Sequence, residues 1–136
     1  MRYAVRKDRP LEWFLAGFSL YWGVATHLAV SAQAYVPCDG PLKPFEESAW
    51  ANLAGFLGLL HMVALLVNGS MGWTPMARLI VTAANAGFFA WMAALLVPMD
   101  LGETGMMYAY VTVGYLWCAY VAGQDAARMR LGTYGL

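Results

Sequence analysis

Residues 49–68 read AWANLAGFLGLLHMVALLVN, twenty residues without an Asp, Glu, Lys or Arg among them. At 1.5 Å rise per residue, a helix of that length covers about 30 Å, the thickness of a bilayer's hydrocarbon core. The stretch is therefore expected to be a membrane-spanning helix. Working outward, residues 11–36, 75–98 and 105–123 share its character, each with at most two ionisable groups inside. Composition agrees, since 61% of the 136 residues are hydrophobic, 12% are charged and the mean hydropathy is +0.53. A soluble helical bundle is disfavoured because these segments carry no polar face with which to meet water. The expectation is an all-α, polytopic membrane protein of one domain, residues 1–136, with four transmembrane helices in an up-down-up-down bundle. Short links make sequence neighbours antiparallel.

The links carry their own signals. Pro37, Pro41 and Pro44 with Gly40 rule out a continuous helix between the first two spans. Ser48 is a candidate cap for the second, and Asn68-Gly69 suits that helix's end. Thr74-Pro75 suits the start of the third span, and Pro98 with Asp100 or Thr104 suits the turn into the fourth. A basic start, an apolar run and Ala32-Gln33-Ala34 resemble a cleavable signal. The run exceeds a usual signal core, so the first helix is read as a permanent anchor.

Formal net charge is zero, and the placement of the charges sets the expected orientation. Arg2, Arg6, Lys7 and Arg9 precede the first span, Arg78 opens the third, and Arg128 and Arg130 follow the fourth. Only Lys43, among the eight basic residues, falls on the other side. By the positive-inside rule, both termini face the cytoplasm of a cell whose inner membrane holds the protein. Arg6, Lys7, Arg9, Arg78, Arg128 and Arg130 are read as anchors to lipid headgroups, Arg78 by snorkelling from a helix start. Nucleic-acid binding is not expected from so few charges.

Helices in lipid associate through small residues and polar contacts, so small-residue stripes mark the expected packing faces. Gly23 on the first helix, Gly58 on the second, Ala83, Gly87 and Ala90 on the third and Gly114 on the fourth are the candidates. Polar groups at compatible depths form an expected intramembrane cluster of His27, His61, Thr82, Asn85, Thr112 and Tyr115. An ionisable group at that depth should face protein or water. The simplest reading of His27 and His61 is neutral imidazoles that hydrogen-bond within the bundle. An alternative is bis-His ligation of a b-type haem, because imidazole is a common axial ligand and helical bundles can hold a haem. A third is a proton or ion path. Otherwise no cofactor and no metal is expected: the nine Met are scattered, and Cys38 and Cys118 are too far apart for a disulfide or a metal spacing. Cys118 reads as a small packing residue. No Ser-His-Asp set, phosphate loop or close carboxylate pair marks a catalytic centre, so no enzyme activity is expected.

Arg9-Pro10-Leu11-Glu12-Trp13, Trp22-Gly23, Leu65 to Asn68-Gly69, Thr74-Pro75 with Arg78, and Gln124-Asp125-Ala126-Ala127-Arg128 form a recognisable series. In these the chain resembles small four-helix membrane proteins encoded by tailed bacteriophages. The resemblance implies an oligomeric, holin-like protein that opens the inner membrane, with itself or other membrane proteins as partners. An accessory transmembrane subunit of a larger virion-associated or respiratory complex is the alternative expectation.

Overall fold

A computed structural model describes residues 9–31, 47–67, 73–96 and 102–130. Four helices follow one another: α1 (Pro10–Ser31), α2 (Glu47–Leu66), α3 (Thr74–Leu96) and α4 (Gly102–Arg130). The fold is an all-α four-helix bundle. The Pro-rich link, Cys38, Asn68-Gly69, Pro98 and Asp100 lie outside the described residues. Pro10 occupies the first helical position of α1, where a missing N–H is harmless. At α3 the Trp73 carbonyl accepts from the N–H groups of Met76 and Ala77, so Thr74 and Pro75 form the first turn. The second and third helices fall within two residues of the expected stretches, the last five residues of the first stretch lie outside the described residues, and α4 runs seven residues past Gly123 to Arg130 and so carries Asp125.

Side-chain contacts fix the directions. Along α1, Glu12, Ser19 and Trp22 meet α3 at Arg78 and Asn85 and α4 at Tyr108, while Leu15 meets Tyr115. Residue numbers thus rise together in α1 and α3 and fall in α4. Gly23 lies against Gly55 and Ala51, and Gly58 against Leu20 and Ala16, so α2 also runs against α1. This is up-down-up-down order. Backbones approach closely within the α1/α2 and α3/α4 pairs, whereas the two pairs meet through larger side chains.

Gly23 and Gly58 are what permit the first close approach. A Cβ at Gly23 would sit 2.6 Å from the Ala51 carbonyl oxygen, and one at Gly58 would sit 2.9 Å from Leu20 Cα. Only hydrogen fits there. Gly114 is also turned inward, with Leu15 Cδ1 3.2 Å from where its Cβ would stand. The third helix departs from expectation: Ala83, Gly87 and Ala90 all point outward, and no atom would lie within 4 Å of a Cβ at Gly87. The inward face of α3 is instead Arg78, Thr82, Asn85, Phe89, Met92 and Leu96, spaced four and three residues apart. Burying that strip gives its polar groups partners and its aromatic ring neighbours, whereas Ala and Gly lose little by facing out. Phe89 is the centre of the core, with the rings of Phe18, Trp22, Phe88, Tyr108 and Tyr115 5.1–6.4 Å away.

Two helices, α2 over Ser48–Leu66 and α3 over Thr74–Leu96, are long and apolar enough to cross a membrane, with mean hydropathies of 1.7 and 1.8. Among the described residues α1 and α4 fall short of that apolarity. The reason is compositional: α1 contains Glu12, Ser19, Thr26 and His27, and α4 contains four tyrosines and Asp125.

Candidate functional site

At the end of the bundle where α1 begins and α4 finishes, three helices converge on one carboxylate. Glu12 comes from the first turn of α1, Arg78 from the second turn of α3, and Asp125 from the last turns of α4. The Arg78 guanidinium grips Glu12 with Nε donating to Oε2 at 3.0 Å and Nη2 donating to Oε1 at 2.6 Å and Oε2 at 2.9 Å. Its Nη1 reaches Asp125 Oδ2 at 3.5 Å. Arg9, just before α1, donates through Nη1 to Glu12 Oε1 at 3.0 Å and through Nη2 to Asp125 Oδ2. Among the described residues, two guanidinium groups thus face two carboxylates. Arg78 is fully buried and Glu12 is 3% exposed. A planar, forked donor suits this task, because one side chain can serve two acceptors in fixed geometry.

The remaining helix, α2, contributes the imidazole of His61. It is fully buried, its Nε2 stands 4.0 Å from Glu12 Oε2, and its ring centroid is 5.8 Å from that of Tyr115. Neither ring nitrogen has a hydrogen-bond partner among the described residues. A buried polar group left so costs on the order of 1–3 kcal/mol. Beyond it the interior remains polar for two further turns. Tyr115 donates its hydroxyl to the Leu15 carbonyl at 2.6 Å, and Ser19 Oγ lies 3.0 Å from both the Ala54 carbonyl and Asn85 Oδ1. Asn85 Nδ2 donates to the Val81 carbonyl at 2.9 Å, Thr82 to the Arg78 carbonyl at 2.7 Å, and Trp22 Nε1 to the Tyr108 hydroxyl at 2.7 Å.

A cleft of about 160 Å³ opens between α1 and α4 beside the cluster, lined by Arg9, Leu11, Glu12, Trp117, Cys118 and Val121, with Pro10 at its edge. Glu12 therefore has one side toward the cleft and another toward His61. Cys118 is free and 2% exposed, a packing position as its sequence context suggests.

Of the six residues expected to form an intramembrane cluster, His61, Thr82, Asn85 and Tyr115 come together in the interior. Thr112 is half-buried and donates to the Tyr108 carbonyl of its own helix. His27 is exposed, with Ser31 bonding its carbonyl. The pairing of Gly58 with Leu20 and Ala16 sets His61 level with the region of Ala16, eleven residues and about 16 Å along α1 from His27. The two imidazoles of one chain cannot ligate a single haem iron. No group of three or more His, Cys, Asp or Glu suited to a metal ion occurs among the described residues.

The headgroup-anchor reading also changes. Arg78 does not snorkel outward: it points into the bundle, where Glu12 and Asp125 offer it charged partners. Arg9 likewise turns to Glu12 and Asp125. Arg128 is exposed, while Arg6, Lys7 and the side chain of Arg130 lie outside the described residues. Sequence reasoning passed over Glu12 and Asp125 as functional candidates. The signal was present: Glu12 is seven residues before Ser19 and Arg78 seven before Asn85, so each shares a helical face with an interior polar residue, and Asp125 is seven after the buried Cys118.

Comparison with known proteins adds no relative: no family model matches the chain, and neither a curated protein nor a solved structure matches it significantly.

Proposed function

We propose that this chain is a four-span integral membrane protein that works by assembly within the lipid rather than by catalysis, with both termini on the cytoplasmic side. The observation that carries the reading is the inverted polarity of the bundle. Glu12, Arg78, His61, Asn85, Thr82 and Ser19 are buried, whereas Phe14, Tyr21, Leu28, Phe56, Leu66, Ile80, Val113 and Leu116 are each more than half exposed. Large apolar side chains thus face outward on all four helices. In water such a surface would aggregate; in hydrocarbon it is the favoured one.

Assembly is supported by the outward strip of Ala83, Gly87, Ala90 and Ala94 on α3. Small residues at four- and three-residue spacing allow a second helix to approach closely where no solvent drives association. A holin-like use, in which gathered copies breach the inner membrane, fits this strip and the phage-protein resemblance.

Reconstitution into dye-loaded vesicles tests the proposal. Detergent-dependent solubility, cross-linked oligomers and dye release are expected, and Gly87→Leu should reduce both the oligomers and the release. A chain that stays dispersed in buffer without detergent would overturn the membrane reading. A membrane-inserted monomer that releases no dye would overturn the assembly reading and favour an accessory-subunit role.

A further inference from the structure

Among the described residues, the buried side chains that find no hydrogen-bond partner reduce to one, the imidazole of His61. Arg78, Glu12, Ser19, Asn85, Thr82 and Tyr115 all make hydrogen bonds, yet both nitrogens of the fully buried His61 make none. An imidazole is costly in that condition, and Leu or Met would fill the same place without cost. A carboxylate oxygen, Glu12 Oε2, stands 4.0 Å from its Nε2, slightly more than 1 Å beyond a charge-assisted hydrogen bond. Glu12 also lines the cleft between α1 and α4, which gives its carboxylate a route to water.

We propose that His61 and Glu12 together form a proton-binding site in the core of the bundle. A proton from water in the cleft passes by way of the Glu12 carboxylate to His61 Nε2, and Glu12 is left ionised as the hydrogen-bond acceptor of the imidazolium. No other bond forms or breaks. Among the described residues, the titratable and charged groups packed around this end are Arg9 and Glu12 on the α1 side, Arg78 on α3, and Tyr115, Cys118 and Asp125 on α4. The incoming proton adds one positive charge to this set. The protonated imidazole competes with Arg78 Nε for Glu12 Oε2, and closing the gap draws Glu12 away from Arg78.

This inference holds whether or not the bundle crosses a membrane, so its failure is separable from that of the assembly reading. The test is nitrogen NMR of the full chain labelled at its two histidines and kept in detergent, from about pH 8 to about pH 5. His27, exposed to solvent, is the internal reference. The expected result is that the His61 ring nitrogens change to the doubly protonated pattern as pH falls, with an N–H shielded from exchange. In Glu12→Gln that shielded N–H should be lost while the His27 response stays as it was. If Glu12→Gln does not fold, Glu12→Asp, which withdraws the carboxylate by one methylene, should weaken the same signal. A His61 ring that keeps the singly protonated pattern throughout in the unmodified chain overturns the proposal. So does an N–H that survives Glu12→Gln in a folded protein.

Discussion

The Arg78 side chain shows how much can depend on one residue in this bundle. It lies fully buried and bridges α1 to α4 through Glu12 and Asp125. Removing it takes from the buried Glu12 the guanidinium that contacts both of its oxygens and leaves Arg9 on Oε1, and breaking comparable buried pairs costs about 3–5 kcal/mol. Arg78→Ala should therefore lower the unfolding midpoint of the detergent-solubilised protein sharply. Arg78→Lys should recover only part of it, because an ammonium cannot reproduce the forked contact with both Glu12 oxygens. Combining Arg78→Ala with Glu12→Ala should cost less than the sum of the two single changes, since no orphaned charge then remains. Thermal or denaturant titrations of the four variants check this, and an additive double mutant would mean the two residues do not form one unit. Cys118 offers a second check. Buried against α1, it should resist a water-soluble maleimide in the folded protein and react once the chain is unfolded, in a Cys38→Ser background.

At the scale of the helices, glycine positions divide into two kinds that the sequence does not distinguish. Gly23 and Gly58 stand backbone to backbone across α1 and α2, so Gly23→Leu or Gly58→Leu must push the helices apart and should cost about 1–3 kcal/mol or more. Gly87 touches nothing, and Gly87→Ala should leave the monomer unharmed or firmer by up to about 1 kcal/mol through helix propensity. Circular dichroism melts of the three variants would separate these outcomes. All four helices were legible in the sequence, because apolar length is a strong signal and Pro10 and Thr74-Pro75 mark two of the starts. Which face of α3 turns inward was not legible from small residues alone. Ala83, Gly87 and Ala90 can pack against a neighbour within the chain or against one outside it, and what decided between them was the need of Arg78, Thr82 and Asn85 for partners. The interior histidine was readable for a like reason, and His27 was misplaced because a stripe at helical spacing does not say where the stripe meets another helix.

Considered whole, the molecule is two close-packed helix pairs joined by a layer of large side chains. At one end that layer is the ionic cluster, in the middle it is Ser19, Asn85 and Tyr115, and further along it is the aromatic group around Phe89. The even distribution of exposed apolar side chains predicts that the purified protein needs detergent at every step and precipitates when it is removed. Tags at the two ends should be reached by a membrane-impermeant label only after the inner face is opened. One tag accessible from each side would contradict the expected orientation. That expectation rests on the charge asymmetry of the sequence. The meeting of Glu12 with Asp125 across 113 residues of chain was not legible there, since nothing in either residue's neighbourhood names the other.

The chain order of the cluster bears on how the protein is made. The ribosome delivers Arg9 and Glu12 first, Arg78 much later and Asp125 last, close to the end of synthesis. Until α4 arrives, Arg9 and Arg78 share Glu12 without Asp125, the second carboxylate that both contact. Docking of the last helix is thus the step that completes the ionic cluster, and a chain truncated after Leu96 should be retained by insertion chaperones or degraded rather than accumulate.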